Sequence, residues 1–333
     1  MNLPDKLVIA RPSDAVAATP YLLGFHPHDS LVVLGFGAGR SFAFRLDLVS
    51  REHYSDLLMR LFGLLIRNEA DAVILLGYGP RETVVPLLAE VQDALQDIVT
   101  VNDVLRVDRG RWWSLMCTTL EYCPPEGTPY DIATSHLAAQ ATFAGLVAYG
   151  SREEMTAMVA PVAEQDQVWM VAETERAEQE LLGMGPGSRL LVEQGLPLVR
   201  SLIGQDRRLT DHEVARLSIV LTHLRVRDEA WTRIAALDPQ QQLRLWQDVT
   251  RRAVGAYAAA PAALLGFLAY IAGNGTLARI ALDRCRQVTP SYSMAALIQA
   301  CLNLGIPPET VRDKIRDTHD MLPQAWGDSA EHV

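Results

Sequence analysis

The chain has 333 residues, of which 49% are hydrophobic, and its formal net charge is −10 at pH 7. This composition excludes global disorder, and the length exceeds that of a usual single core, so two domains are predicted. The negative charge opposes binding to phosphate backbones, and there is no dense run of lysine or arginine; we therefore expect no nucleic-acid partner.

Cysteine usage and the N-terminus favour a cytoplasmic protein. Residues 1–12 contain no apolar core of signal-peptide length. The cysteines are few and irregularly spaced, as is usual in a reducing compartment; they are Cys117, Cys123, Cys285 and Cys301.

One segment has the length of a membrane span. Ala253–Ala278 carries no charge over 26 residues. It is rich in alanine and is interrupted by Pro261 and by Gly273-Asn274-Gly275, which suits a membrane helix poorly. We predict two short buried helices here and no membrane association.

Strands and helices alternate through the first half of the chain. Apolar runs predict strands at Leu7–Ala10, Ser30–Phe36, Ser41–Leu48, Ala72–Leu76, Val104–Val107 and Trp112–Cys117. Helical patterns cover a short helix ending at Tyr21, Glu52–Asn68, Arg81–Leu95, and a stretch from about Ile132 to Tyr149. This order predicts a three-layer α/β domain with a mixed sheet in residues 1–150.

The strand signal almost disappears after residue 150, which predicts an all-α domain over residues 151–333. Ser151–Glu154 and Thr210–Glu213 both fit the capping box that marks a helix start. Gly183–Gly187 is predicted to be a linker, and the tail after Pro323 is predicted to be frayed.

Part of this second half has a repeat-like spacing. Leu265-Gly266, Ala278, Leu282 and Pro290 are spaced as in a tetratricopeptide unit, over about one and a half units. So short an array indicates a repeat-like helical bundle and not a long solenoid.

A polar cluster stands before one of the predicted strands, in Tyr21–Phe36 (YLLGFHPHDSLVVLGF). Within it, His26 and Asp29 have the spacing of the His-Pro-x-Asp ligand pair of zinc-dependent deacetylases. A zinc site needs a third protein ligand, and the chain has no His-x-x-His segment to supply one. We therefore favour a turn shaped by Pro27 and predict no metal.

Other candidates for a functional site are the stretch Arg111–Trp113 and the two cysteines that follow it. Adjacent strand residues point to opposite faces, so one tryptophan can enter the core while the other stays exposed beside an arginine. For the two tryptophans, packing in the core is favoured over contact with a ligand.

Cys117 and Cys123 could form a disulfide, ligate a metal or include a nucleophile. Their spacing fits no common zinc pattern, and buried inert thiols are the favoured interpretation.

Two glycine-rich stretches bear on nucleotide binding. Gly35–Gly39 leads into another strand and not into a helix, which excludes a phosphate-binding loop, and no cofactor is predicted. Gly77–Gly79 follows the most apolar strand and precedes a helix, which is the usual ligand edge of an α/β sheet.

Three motifs in order, YLLGFHPHDSLVVLGF, RGRWWSLMC (109–117) and CPPEGTP (123–129), resemble an actinobacterial family catalogued as domain of unknown function 4192. Leu209–Trp231 and Tyr257–Pro308 resemble the helical half of the same family. The resemblance implies a cytoplasmic protein with no agreed activity, and it transfers no catalytic residue.

Two hypotheses about function follow. The first is a non-catalytic binding or scaffold protein whose helical half contacts a protein partner or another copy of the chain. The second is an enzyme that binds a small molecule in a pocket of the α/β domain; its residues would be His26, His28, Asp29, Ser30, Arg111, Trp112, Trp113, Cys123 and Glu126.

Overall fold

The computed structural model describes residues 9–37, 39–119, 121, 123–143, 146–183 and 188–319. The chain divides into two compact units, Met1–Met155 and Thr156–Val333, called here the α/β unit and the helical unit.

A mixed sheet forms the centre of the α/β unit, as the sequence predicted; it has six strands, of which the last, at Thr128–Pro129, was not predicted. The strands are β1 (Ser30–Gly37), β2 (Arg40–Asp47), β3 (Ala72–Tyr78), β4 (Thr100–Asp108), β5 (Arg111–Ser114) and β6 (Thr128–Pro129). Their order is β2-β1-β3-β4-β5-β6, in which β3 and β4 are parallel and the other neighbours are antiparallel.

Helices cover both faces of this sheet, because its central strands are apolar on both sides. The helices of this unit are α1 (Pro12–Leu23), α2 (Tyr54–Arg67), α3 (Arg81–Leu95) and α4 (His136–Phe143). Leucines and valines of α2 and α3 form one core with β1 and β3. On the opposite face, Ala17 and Ala18 of α1 pack against Leu137 of α4.

The predicted helix from about Ile132 to Tyr149 is wrong at both ends, because α4 covers His136–Phe143 while residues 132–135 and 146–149 are not helical. Tyr149 is instead extended: its N–H donates to the Gly24 carbonyl at 2.8 Å, and it pairs with Phe25 in a parallel bridge. This long-range backbone pairing replaces the local helical hydrogen bonds. Of the predicted strand Leu7–Ala10, residues 7 and 8 lie outside the described part, and residues 9 and 10 are not in a strand.

The helical unit is built from consecutive helices. They are α5 (Arg152–Ala157), at the division between the units, then α6 (Glu164–Gly183), α7 (Ser188–Leu202), α8 (Asp211–Val220), α9 (Leu224–Ala236), α10 (Pro239–Arg252), α11 (Ala259–Ile271), α12 (Gly275–Val288), α13 (Ser293–Leu304) and α14 (Pro308–His319). Of the predicted linker, Gly183 ends α6 and residues 184–187 lie outside the described residues, as does the tail after Pro323.

The uncharged segment forms short helices, as predicted. A 3-10 turn at Gly255–Ala258 leads into α11, all of whose residues are buried, and α12 begins at Gly275. No helix in the described ranges combines the length and the apolarity needed to cross a bilayer.

Both predicted capping sites begin a helix. At α8, Thr210 Oγ1 accepts the Glu213 N–H at 3.2 Å, while Glu213 Oε2 accepts the Thr210 N–H at 2.8 Å. Arg207 donates to both carboxylate oxygens of Glu213, at 2.6 and 2.8 Å. These hydrogen bonds from Arg207, and then those from Thr210, lower the pKa of Glu213 to about 2. At α5, Ser151 Oγ accepts the Glu154 N–H at 3.2 Å.

We expect Glu213→Gln to destabilise the protein by about 1 kcal/mol at pH 7, because it weakens a helix cap and removes an ion pair. A carboxylate whose pKa is depressed by folding stabilises the native state above its unfolded pKa, and this contribution is lost as the pH falls from 4.5 towards about 2. Urea unfolding of wild type and variant at pH 7 and pH 3 measures the difference, which should shrink in acid.

Glu82→Gln is the control, since Glu82 also lies in the first turn of a helix and is exposed, and no ion pair joins it to a described residue. A Glu213→Gln effect that stayed constant with pH would contradict the assigned linkage.

Candidate functional site

The carboxyl ends of β3 and β4 lie at the same edge of the sheet, where α/β proteins commonly bind ligands. One row of paired residues crosses the sheet at this edge: Asp47, Ser30, Tyr78, Val107, Trp112 and Thr128. Residues paired in register point to the same face, so Ser30, Tyr78 and Trp112 all face the side of the sheet that α1 covers.

This row contains polar atoms that are buried without good partners. Ser30 Oγ and Trp112 Nε1 make no hydrogen bond to any residue in the described ranges. The Tyr78 hydroxyl lies beside Thr19 but makes no hydrogen bond of normal geometry within the described residues, and the Thr19 hydroxyl itself donates to the Ala15 carbonyl at 2.8 Å. Burial raises the pKa of Tyr78, so the phenol stays protonated. Buried polar atoms of this kind usually bind water.

The histidine-containing segment lies at this edge, before β1. The His26 N–H donates to the Tyr149 carbonyl at 2.9 Å, and burial, followed by the charge of His28, lowers the pKa of His26. His28 and Asp29 are exposed, and Asp29 has a φ of 40°, a left-handed turn conformation. The Asp29 carboxylate lies beside Gly79, at the end of β3. In the described ranges, no three His, Cys, Asp or Glu side chains are grouped so that they could hold a metal ion.

The second and third predicted segments contact each other directly. Trp113 Nε1 donates to the Pro125 carbonyl at 2.9 Å, and Arg111 Nη1 donates to the Gly127 carbonyl at 2.7 Å. The guanidinium of Arg106 lies 3.5 Å from the centre of the Trp113 ring. Trp113 Nε1 and Arg111 Nη1 therefore hold the loop that follows β5.

Cys117 and Cys123 form a disulfide, with a Cα–Cα distance of 6.3 Å. The favoured interpretation as free thiols is therefore wrong for this pair, because the loop returns towards β5 and brings the two cysteines together. Cys285 and Cys301 are free and buried.

The nine predicted pocket residues thus fall into two groups. Arg111, Trp113, Cys123 and Glu126 belong to one hairpin and its loop. His26, His28, Asp29 and Ser30 lie at the start of β1, three strands from β5 and thus about 14 Å away at usual strand spacing. Trp112 is buried on the same face as Ser30, whereas Arg111 and Trp113 alternate onto the other face.

A surface of the helical unit was missed by the sequence analysis. Val168, Trp169 and Val171 of α6 are exposed by 67%, 68% and 43%, respectively, and Ala172 is exposed beside them. These four residues are called here the α6 patch. The buried stripe of α6 runs through other positions, namely Met170, Thr174, Ala177 and Leu181, so the exposed apolar residues can be recognised only once that stripe is known.

A groove of about 250 Å³ adjoins the α6 patch, between α6 and the 3-10 turn that precedes α11. Glu175 and Glu178 line it on the α6 side, and Tyr257 lines it on the other side. The Tyr257 hydroxyl donates to Glu178, and burial together with this carboxylate raises the pKa of Tyr257 to about 12. The groove therefore presents negative charge next to an apolar surface.

We expect Gly127→Ala to destabilise the α/β unit by about 2–5 kcal/mol, the sum of left-handed backbone strain and overpacking. Gly127 has a φ of +81°, and an added Cβ would lie 2.3 Å from the Trp113 ring. Gly110→Ala is the matched control: its φ is +73°, but no described atom lies within 4 Å of the added Cβ, so only the strain of about 1–2 kcal/mol applies. Chemical unfolding measures both, and equal effects would contradict the packing of the loop on Trp113.

Comparison with curated proteins and with solved structures found no match. A scan against family models matched one of them over residues 12–309, which is most of the chain and includes the sheet, the hairpin loop and α6. The chain therefore belongs to the family described as domain of unknown function (DUF4192).

Proposed function

We propose that the protein is a non-catalytic binding protein whose helical unit docks a segment of a protein partner on the α6 patch. The observation that carries this proposal is the exposure of Trp169, at 68%, among further exposed apolar residues of one helix. Exposed apolar patches mark interaction sites, and tryptophan is enriched among the residues that dominate binding energy.

The groove beside the patch defines the chemistry of the partner. Val168, Val171, Glu175 and Glu178 follow one another at helical spacings of three and four residues, so they form a single strip along α6. An apolar side chain of the partner would pack on the valines and on Trp169, while a lysine or arginine next to it would reach the two carboxylates. We therefore propose a basic and apolar peptide segment as the ligand.

Another groove, of about 490 Å³, lies along α2 in the α/β unit. Its lining mixes Arg51 with Glu52 and Glu90, so it presents charges of both signs to a partner. The catalytic hypothesis requires a pocket shared by its nine residues. Since Arg111, Trp113 and Cys123 are engaged within their own hairpin and loop, we propose no reaction for this unit.

A selection of displayed random peptides tests the proposal, with the wild-type chain as bait and the Trp169→Ala variant as counter-selection. We expect enriched sequences that combine apolar residues with lysine or arginine. In fluorescence polarisation, Trp169→Ala should raise the dissociation constant of such a peptide by about 30-fold, equivalent to about 2 kcal/mol of binding free energy. Glu175→Gln should reduce the dependence of binding on salt.

Leu297→Ala is the control, because Leu297 is also exposed, by 54%, but lies on α13; its binding should equal that of wild type. Enrichment of acidic peptides, or equal binding by the Trp169→Ala variant, would refute the proposed docking site.

A further inference from the structure

The two edges of the sheet differ in how they are protected. The strand β6 at one edge has only two residues. At the other edge, β2 has eight residues, pairs with β1 without any register shift, and has no other strand neighbour in the described part of the chain. Long, regular edge strands readily pair with another strand, and most proteins shorten or distort them. The edge formed by β2 has neither form of protection.

The backbone groups that face outward from β2 can be identified. The Phe36 carbonyl accepts the Asp71 N–H at 2.8 Å, so the backbone of Phe36 points towards β3 and away from β2. Phe36 is opposite Ser41, which therefore does not hydrogen-bond to β1. Since hydrogen-bonded positions alternate along an antiparallel ladder, the N–H and C=O groups of Ser41, Ala43, Arg45 and Asp47 face outward.

These four backbone N–H groups donate to no acceptor elsewhere in the described chain. The side chains of the residues between them form an apolar row along the same edge. Phe42 and Leu46 belong to the core under α2 and α3, and the Phe44 side chain lies between them on the same face and is half-buried. A partner strand would therefore meet free backbone groups and a row of apolar side chains.

We propose that a second copy of this chain pairs with β2 in antiparallel orientation, so that one continuous sheet runs through both copies. In such a two-fold ladder, outward residues must oppose outward residues. The register centred on Phe44 pairs all four of them: Ser41 opposes Asp47 of the second copy, and Ala43 opposes its Arg45. Shifting this register by two residues leaves an outward residue without a partner.

Side-chain chemistry favours the same register. Phe44 opposes Phe44 of the second copy, and Phe42 opposes its Leu46, so the face towards α2 and α3 remains apolar across the junction. On the other face, Arg45 keeps its ion pair with Asp47 at 2.6 Å and opposes an alanine, so no like charges stand directly opposite each other. The edge is therefore self-complementary in hydrogen bonding, apolar contact and charge.

Sedimentation velocity across a concentration series tests the pairing. We expect a reversible dimer for wild type and for Ala43→Val, which keeps the backbone N–H. Ala43→Pro removes one outward N–H that β1 does not use, and proline is tolerated at this side of an edge strand. The Ala43→Pro substitution should raise the dimer dissociation constant at least about ten-fold, equivalent to about 1.4 kcal/mol. Its circular dichroism spectrum should stay that of wild type. Trp169→Ala should leave the dimer unchanged, which separates this inference from the proposed function.

Cross-linking tests the register. Phe44→Cys places two thiols across the two-fold axis, and we expect a disulfide between copies under mild oxidation by glutathione disulfide. Phe42→Cys is the control, because it opposes Leu46 and not itself. A monomeric wild type, a dimer that tolerates Ala43→Pro, or cross-linking through position 42 in preference to position 44 would overturn the proposal.

Discussion

Burial of β3 on both faces is the constraint on which the α/β unit depends. Ala72–Tyr78 has no charged side chain, and all of it except its first residue is buried, so helices must cover both sides of the sheet. α2 and α3 meet this requirement on one face, and α1 with α4 on the other. Polar side chains are therefore confined to the ends of the strands, where the Asp29 carboxylate lies beside Gly79 and the Tyr78 hydroxyl lies beside Thr19.

The sequence predicted those elements whose formation depends on local pattern. Arg81–Leu95 was predicted with its observed limits, and the predicted caps Ser151 and Thr210 begin α5 and α8, because a cap and its helix lie within a few residues of each other. Tyr149 shows where such patterns fail. Its surroundings are compatible with a helix, but pairing with Phe25, which is remote in sequence, gives it an extended conformation.

The candidate site was predictable to a smaller extent, for a related physical reason. Sequence analysis placed Arg111 and Trp113 in a candidate pocket, but it could not show that both side chains donate to carbonyls of the following loop. The same chain reversal joins Cys117 to Cys123. Arg106 was missed altogether, because its stacking on Trp113 depends on the register between β4 and β5.

The two proposed association surfaces escape one-dimensional analysis for different reasons. Trp169 can be found on a helical wheel only once the buried stripe of α6 is known, since core stripes and interface stripes have the same composition. β2 is different, because its sequence is that of an ordinary strand and its free edge arises from the strand order. A strand with these residues at the centre of the sheet would have no unpaired groups. Whether Ser41, Ala43, Arg45 and Asp47 are available for pairing is therefore a property of the topology and not of the residues themselves.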